Sequence, residues 1–415
     1  MDFIEEFKWR GLIKDITDEE LFTKLIKEHG TVYCGFDPTA ASLHIGHLVP
    51  VLTLRRLQQA GLRVIALVGA GTGLIGDPSG RKSERQLLTL EQSRINAEGL
   101  KEQLGRYLDF SDPKKTLMVS NYDWLKDINV ISFLRDYGKN FPINYMLSKD
   151  VVASRMEAGI SYTEFSYMIL QSIDFYHLYT TEGCQIEMGG SDQWGNITSG
   201  VELIRRMTGK TDACGFVLPL ITKSDGTKFG KSAGGAMWLD RNLTSPYSIY
   251  QYFLNSADAD VIHYLKVFTF LTKEEIDALA VKVETEPHLR EAQKVLAYEV
   301  VKLMHSKEDA DDCVKMSSVL FGGNIKDLTL EQINICLEGV KTLDVTEGEL
   351  LIDALISLGA CSSKRDAREL LSKGTFSLNG DKVFDTTLAL TKDLALEGKV
   401  IVVRKGKKNY FLLKF

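Results

Sequence analysis

The chain has 415 residues, 44% hydrophobic and 26% charged, with a formal net charge of −6. That length implies two or three domains with a sizeable core, and the composition excludes disordered and fibrous classes. No apolar run approaches the roughly 20 residues needed to span a bilayer. The six cysteines, at 34, 184, 214, 313, 336 and 361, include no C-x-x-C pair, which argues against a zinc site or a disulfide framework. The N-terminus, Met-Asp-Phe-Ile-Glu-Glu-Phe-Lys-Trp-Arg, is acidic and amphipathic, unlike a secretory signal or an Arg-rich transit peptide. A cytoplasmic location without membrane contact is the expectation.

In chain order, residues 31–240 alternate apolar runs with helical patterns, the signature of an α/β protein with a parallel sheet. Strands are predicted at Thr31–Phe36, Val64–Gly69, Leu117–Asn121, Gln185–Met188 and Val217–Ile221. Helices fit between them at Gly46–Ala60, Glu91–Leu108, Thr163–Leu178 and Asp192–Met207. Ser42 or Asp37 can cap the first of these helices, and Ser191 or Asp192 the last. From Ser245 to about Leu320 the strands stop and amphipathic helices take over, including Pro287–His305. A linker with short helical pieces follows. The end of the chain has helices at Leu350–Leu358 and Ser362–Lys373. Strands follow at Thr375–Leu378, Lys382–Phe384 and Val400–Phe415, broken at Asn379-Gly380 and Gly406. The expected division is 1–240, 241–325, a linker at 326–347, and 348–415. The last part carries 12 Lys+Arg against 8 Asp+Glu, leaving 38 against 48 in 1–347. A basic end on an acidic body suggests a polyanion at one end only.

Three motifs carry chemistry. Gly71, Gly73 and Gly76 spell G-x-G-x-x-G after a strand, the dinucleotide-binding fingerprint if a helix opens at once. Asp77-Pro78-Ser79-Gly80 follows instead, which is turn chemistry. After the first strand, His44-Ile45-Gly46-His47 places two imidazoles three apart on one face of a first helical turn, where N–H groups favour an anion. They suit phosphate, or they are ordinary capping or core histidines. After the last strand, Thr222-Lys223-Ser224-Asp225-Gly226-Thr227-Lys228-Phe229-Gly230-Lys231-Ser232 places Lys228 and Lys231 three apart in a loop. The spacing of a P-loop is missed by one residue, and Asp225 stands where its first glycine belongs. The loop is a mobile pair of phosphate-binding ammonium groups or a solvated basic turn. Tyr167, Gln171 and Asp174 fall on one helical face, which fits a ligand site or a solvated stripe.

The His-Ile-Gly-His and Lys-Phe-Gly-Lys-Ser pair resembles the two signatures of class I aminoacyl-tRNA synthetases. With Tyr33-Cys34-Gly35-Phe36-Asp37-Pro38-Thr39, Gly76–Gly80, Thr163–Gln171 and Gly189–Asn196, the whole chain resembles the bacterial tyrosyl-tRNA synthetases. The resemblance implies a Rossmann-like catalytic domain, a helical anticodon-side domain and an S4-like RNA-binding domain. It implies tyrosine activation with ATP and Mg2+, transfer to tRNA(Tyr), and a homodimer, with residues 128–162 as a candidate contact. The Lys-Phe-Gly-Lys-Ser signature departs from the commoner Lys-Met-Ser-Lys-Ser at two positions but keeps both lysines.

Carried onto this sequence, the resemblance assigns His44, His47, Lys228, Lys231, Thr39, Arg81 and Arg85 to the reacting phosphates; a lysine is commoner than Arg81 at its position. Tyr33, Gly35, Asp77, Asn121, Tyr167, Gln171, Asp174 and Gln193 fall to the tyrosine, with Asp77, Tyr167 and Gln171 at its ammonium. Asp37, Gly46, His47, Gly190, Asp192, Lys231 and Ser232 fall to ATP. Lys364, Arg365, Arg368, Lys373, Arg404, Lys405, Lys407 and Lys408 fall to RNA, on a helix face and beside a hairpin. Selection of a phenol needs a buried group that suffers when the hydroxyl is absent, as in the tyrosyl-tRNA synthetases that the chain resembles; Tyr33 and Asp174 are the candidates. A tryptophanyl-type enzyme, a nicotinamide oxidoreductase and a non-catalytic RNA-binding relative are the competing readings.

Overall fold

The computed structural model describes residues 2–79, 87–153, 156, 159–227, 229–232, 235–406 and 409–415. The chain forms two compact units: Met1–Thr244 with Leu254–Leu296, and Ser245–Phe253 with Ala297–Phe415.

The first unit is built on a six-stranded sheet in the order β1-β6-β5-β2-β3-β4. Its strands are β1 (Asp15–Ile16), β2 (Thr31–Phe36), β3 (Arg63–Val68), β4 (Thr116–Ser120), β5 (Ile186–Gly190) and β6 (Cys214–Leu218). All are parallel except β1, which pairs antiparallel with β6 at the edge. The predicted strands are therefore present, shifted by up to three residues, while β1 is too short to show a pattern. β3 reads Arg-Val-Ile-Ala-Leu-Val with its last five residues buried, the unbroken apolar run of a strand covered on both faces. The chain runs outward from β2 to β4, then returns to add β5 and β6 on the other side. The switch point thus falls between β2 and β5, and ligands of open parallel sheets bind in the crevice at the strand ends there.

The helices Leu48–Gln59, Leu90–Tyr107, Tyr162–Glu182 and Trp194–Thr208 connect these strands. Thr89 and Ser161 cap the second and third by accepting from Gln92 N and Glu164 N. The expected caps of the first helix are not used: His44 itself opens a short 3-10 turn, Ile45–His47, by accepting from Gly46 N. Ser191–Gln193 likewise forms a 3-10 turn with no side-chain cap. The predicted helix Pro287–His305 resolves into a 3-10 turn, Pro287–Leu289, and a helix, Glu291–Met304. Arg290 separates them at φ 53°, its guanidinium donating to the carbonyls of Leu254 and Ser256.

After residue 218 come β7 (Lys231–Ser232) and β8 (Gly235–Ala236), a small antiparallel pair. The second unit holds a five-stranded sheet, order β11-β10-β12-β13-β9. These are β9 (Thr342–Asp344), β10 (Phe376–Leu378), β11 (Asp381–Lys382), β12 (Val400–Lys405) and β13 (Asn409–Lys414). β9 lies in the stretch expected as a linker and runs parallel to β13; three edge residues, two of them exposed, leave no periodicity to read. The Leu351–Ser357 and Lys364–Ser372 helices pack on this sheet through a core including Leu355, Leu371, Phe376, Ile401 and Leu413. Asn379 and Gly380, both at positive φ, make the predicted tight turn.

Gly215 of β6 shows how closely the sheet meets its helices: a Cβ there would lie 2.1 Å from Ile197 Cγ2. Gly215→Ala is expected to destabilise the chain by roughly 1–3 kcal/mol through overpacking, read as a lowered urea midpoint with the slope unchanged.

Candidate active site

At the carboxyl ends of β2 and β5 lies a cavity of about 230 Å³ whose lining includes Tyr33, Gly35, Asp37, Thr39, His47, Asp77, Tyr167, Gln171, Asp174, Asp192 and Gln193. These sequence-predicted residues come from five separate segments, and the fold brings them together. Five carboxyl groups line it: Asp37, Asp77, Asp174, Glu187 and Asp192. Among the described residues none of its lining side chains is a lysine or arginine.

At the closed end Asp174, 2% exposed, accepts from Asn121 Nδ2 at 2.9 Å through Oδ2 and from Trp124 Nε1 at 2.8 Å through Oδ1. Burial pushes its carboxyl well above the usual range, against the pull of these two donors. Tyr33 stands opposite, its hydroxyl driven up by burial and by the nearby Glu187 and Asp174. Asn121 is fully buried and spends all its capacity inside the protein. Besides Asp174 it donates to Thr72 Oγ1 and accepts from Gly71 N. It is therefore a support behind Asp174 rather than part of the cavity wall.

At the other end, Tyr167 donates to Asp37 Oδ2 at 2.8 Å and Thr72 Oγ1 donates to Asp37 Oδ1 at 2.8 Å. Burial first, then Asp37, raises the Tyr167 phenol. Asp77 makes the turn bond and also reaches the cavity. Its Oδ1 accepts from Ser79 N, a turn bond, while its Oδ2 faces inward and accepts from Gln193 Nε2 at 2.6 Å. Asn196 Nδ2 bridges Gln171 Oε1 and Gln193 Oε1, locking both amides. Burial followed by the charge on Asp77 raises Asp192. Such a pocket of hydrogen-bonded carboxylates suits a cationic group at one end and a hydroxyl at the other.

The imidazoles are more constrained than a helical turn requires. His44 Nδ1 accepts from Gly46 N and His47 Nδ1 accepts from His44 N, both at 3.1 Å, and the rings stack at 3.9 Å. With Nδ1 an acceptor, the neutral ring carries its hydrogen on Nε2. His47 lines the cavity; His44 stacks behind it. Gly46 is needed for closeness, since a Cβ there would sit 2.9 Å from His44 Cε1. Gly190 likewise packs against Asp192 Oδ1 and stands outside the cavity wall.

The second signature lies against the first. Ile45 N donates to Met237 O, Met237 N to Gly230 O, and Leu239 N to Leu43 O. Phe229 anchors the loop, stacked on Phe268 at 5.0 Å and edge-on to Tyr264 at 5.1 Å. Lys231 and Ser232 are placed by backbone only, in β7; Lys228, Arg81 and Arg85 lie outside the described residues. So do Lys407 and Lys408. Of the other basic residues, Lys364, Arg365, Arg368 and Lys373 are exposed on or just after the Lys364–Ser372 helix. Lys364 pairs with Asp353 and Lys373 with Glu369. Lys405 turns inward, donating to Ala360 O at 2.6 Å. Arg404 is half-buried, beside Ser377 and Tyr410.

Sequence reasoning missed Glu187, Thr72, Trp124, Asn196 and the anchoring role of Phe229. An acidic residue inside the apolar run Ile186–Met188 was the available signal for Glu187. Among the described residues no group of three His, Cys, Asp or Glu is placed to hold a metal ion, and no helix is long and apolar enough to cross a membrane.

Residues 25–322 match the family described as tRNA synthetases class I (W and Y). The chain thus belongs to the class I tRNA synthetases, as its paired signatures and strand order suggest. Residues 332–413 match the tyrosine–tRNA ligase SYY-like C-terminal domain. Tyrosine–tRNA ligase 2 of Bacillus thuringiensis subsp. konkukian is 52% identical over 417 residues, and tyrosine–tRNA ligase of Geobacillus stearothermophilus 51% over 418, each covering 100% of both chains. A C-terminally truncated mitochondrial tyrosyl-tRNA synthetase of Aspergillus nidulans superposes with a TM-score of 0.69 at 33% identity, covering 77% of this chain and 94% of its own. Within its class, the chain is a member of the tyrosine–tRNA ligase family.

Asp174→Asn puts an amide NH2 against one of two fixed N–H donors. It is expected to lower stability by about 1–3 kcal/mol, measured by urea unfolding.

Proposed function

We propose that the chain activates L-tyrosine with ATP and transfers it to the 3′-terminal ribose of tRNA(Tyr). The observation that supports this is the cavity itself: buried Tyr33 and Asp174 at one end, carboxylates at the other, and His47 in its wall. The substrate phenol lies between Tyr33 and Asp174. Its ammonium meets Asp77, Tyr167 and Gln171, which leaves the carboxylate pointing toward His47.

As a class I synthetase the chain uses ATP as a substrate. The tyrosine carboxylate attacks the α-phosphorus and pyrophosphate leaves, giving tyrosyl-adenylate. A carboxylate is already a competent nucleophile, so the protein need not supply a general base. It supplies position and charge that peak in the transition state. His44 and His47 present Nε2–H donors to the phosphates. Lys228, Lys231, Thr39, Arg81 and Arg85 act on the triphosphate, and Asp37, Gly46, Gly190, Asp192 and Ser232 on the nucleotide. Mg2+, bound to the phosphates of ATP as part of the substrate, supplies charge neutralisation.

The division at 1–240, 241–325, 326–347 and 348–415 assigns chemistry to the first part and RNA to the last. The exposed Lys364, Arg365 and Arg368 support that assignment. A symmetric homodimer is proposed through residues 128–162, where Val130 (66% exposed), Ile131 (64%) and Ile143 (59%) face outward. The enzyme is proposed to work in the cytoplasm.

Pyrophosphate exchange into ATP, run separately with tyrosine, tryptophan and phenylalanine, tests the reading. Exchange with tyrosine alone is expected. Exchange driven by tryptophan, or none with tyrosine, overturns it.

A further inference from the structure

Glu187 of β5 and Tyr33 of β2 are direct partners in the parallel register, so their side chains leave the same face of the sheet, and both line the cavity. Glu187 Oε1 accepts from Gln171 Nε2 at 2.9 Å. Its Oε2 and Tyr33 Oη are both buried, and neither makes a well-aligned hydrogen bond although the two groups are near neighbours. The two groups act on each other directly: the carboxylate raises the Tyr33 phenol, and the phenol lowers the Glu187 carboxyl. Two unsatisfied buried oxygens side by side, in a site read as binding a phenol, require an explanation.

The explanation is a proton count, and it rests on the tyrosine-binding reading above. A substrate phenol between Asp174 and Tyr33 completes a row of four oxygens: Asp174, substrate hydroxyl, Tyr33 Oη, Glu187 Oε2. The row has three links, and each needs one hydrogen. The two phenols bring one apiece, so the third must ride on a carboxyl. Both Asp174 oxygens already accept from N–H groups that can only donate, a pull toward the anion that opposes the burial raising this carboxyl. Glu187 Oε2 has no such donor.

We propose that Glu187 is a specificity-determining positioning residue: it carries a proton when tyrosine is bound. Glu187 then donates to Tyr33 Oη, Tyr33 donates to the substrate oxygen, and the substrate hydroxyl donates to the Asp174 carboxylate. An amino acid without the hydroxyl breaks the row at its centre.

The environment suits this role. Burial drives the Glu187 carboxyl up to about 7, opposed by Gln171 and Tyr33. The titratable groups bearing on it are Tyr33 and Cys34 from β2, Asp174 from the Tyr162–Glu182 helix and Cys184 from the turn before β5. Gly200 of the Trp194–Thr208 helix closes the remaining side; a Cβ there would lie 3.0 Å from Glu187 Oε2.

The test is the KM for tyrosine in pyrophosphate exchange between about pH 6 and 8.5, with the Glu187→Gln profile as the control for titration of the substrate ammonium. The folded free carboxyl titrates near 7. Above that pH, binding must therefore take up a proton, and KM should climb toward tenfold per pH unit. Glu187→Gln keeps an oxygen toward Gln171 and sets an amide N–H on Tyr33 Oη, so its KM should stay flat near the wild-type low-pH value. Tyr33→Phe cuts the row and should also be flat. Phenylalanine, assayed by its weak competition, should show no slope with any of them. Parallel profiles for wild type and Glu187→Gln, or a persistent slope in Tyr33→Phe, overturn the proposal. Absence of tyrosine-dependent exchange in the wild type would instead overturn the functional reading. If Glu187→Gln fails to fold, calorimetry on the wild type decides. Titrating tyrosine near pH 8 in buffers of different ionisation heat should show uptake of close to one proton; none overturns the proposal.

Discussion

The controlling constraint in this molecule is buried negative charge. Asp37, Asp77, Asp174, Glu187 and Asp192 share one small cavity, and among the described residues no lysine or arginine lines it. Taking a carboxylate out of water is costly unless hydrogen bonds replace its hydration. The protein meets that cost with fixed neutral donors: Asn121 and Trp124 on Asp174, Tyr167 and Thr72 on Asp37, Ser79 N and Gln193 on Asp77. Neutral donors satisfy lone pairs without cancelling charge. What is left is a field that favours a substrate bearing a cation, and proton sharing where no cation reaches.

Fixed backbone donors also shape the geometry around the paired imidazoles. Stacked imidazoles with both Nδ1 atoms accepting backbone N–H groups present donors of fixed direction at the mouth of the sheet. The second signature is tied to them by backbone bonds through Met237 and Gly230 and by Phe229 wedged against Tyr264 and Phe268. Phe229 therefore serves as the anchor of this loop.

Much of this was legible in the sequence for identifiable reasons. Val64–Gly69 was placed to within one residue of the observed Arg63–Val68 because a doubly covered strand is an unbroken apolar run, and the Asn379-Gly380 turn because such residues accept positive φ readily. The Tyr167, Gln171, Asp174 face was ambiguous by itself. The Tyr162–Glu182 helix is buried along much of its surface, so its polar face points into the protein rather than to water, and periodicity cannot distinguish the two. Glu187 was missed because one acid in a short strand looks like an interruption. Its meaning depends on the cross-strand partner Tyr33, which only the register supplies. β1 and β9 were missed because two or three residues at a sheet edge carry no alternation.

The most direct measurement is a crystal structure of the chain with L-tyrosine and a non-hydrolysable ATP analogue bound. The account predicts the phenol oxygen between Tyr33 Oη and the Asp174 carboxylate, the ammonium against Asp77 and Tyr167, and the phosphates beside His44 and His47. A ligand bound with its ring turned away from Asp174, or a nucleotide whose phosphates lie apart from the two imidazoles, would contradict it.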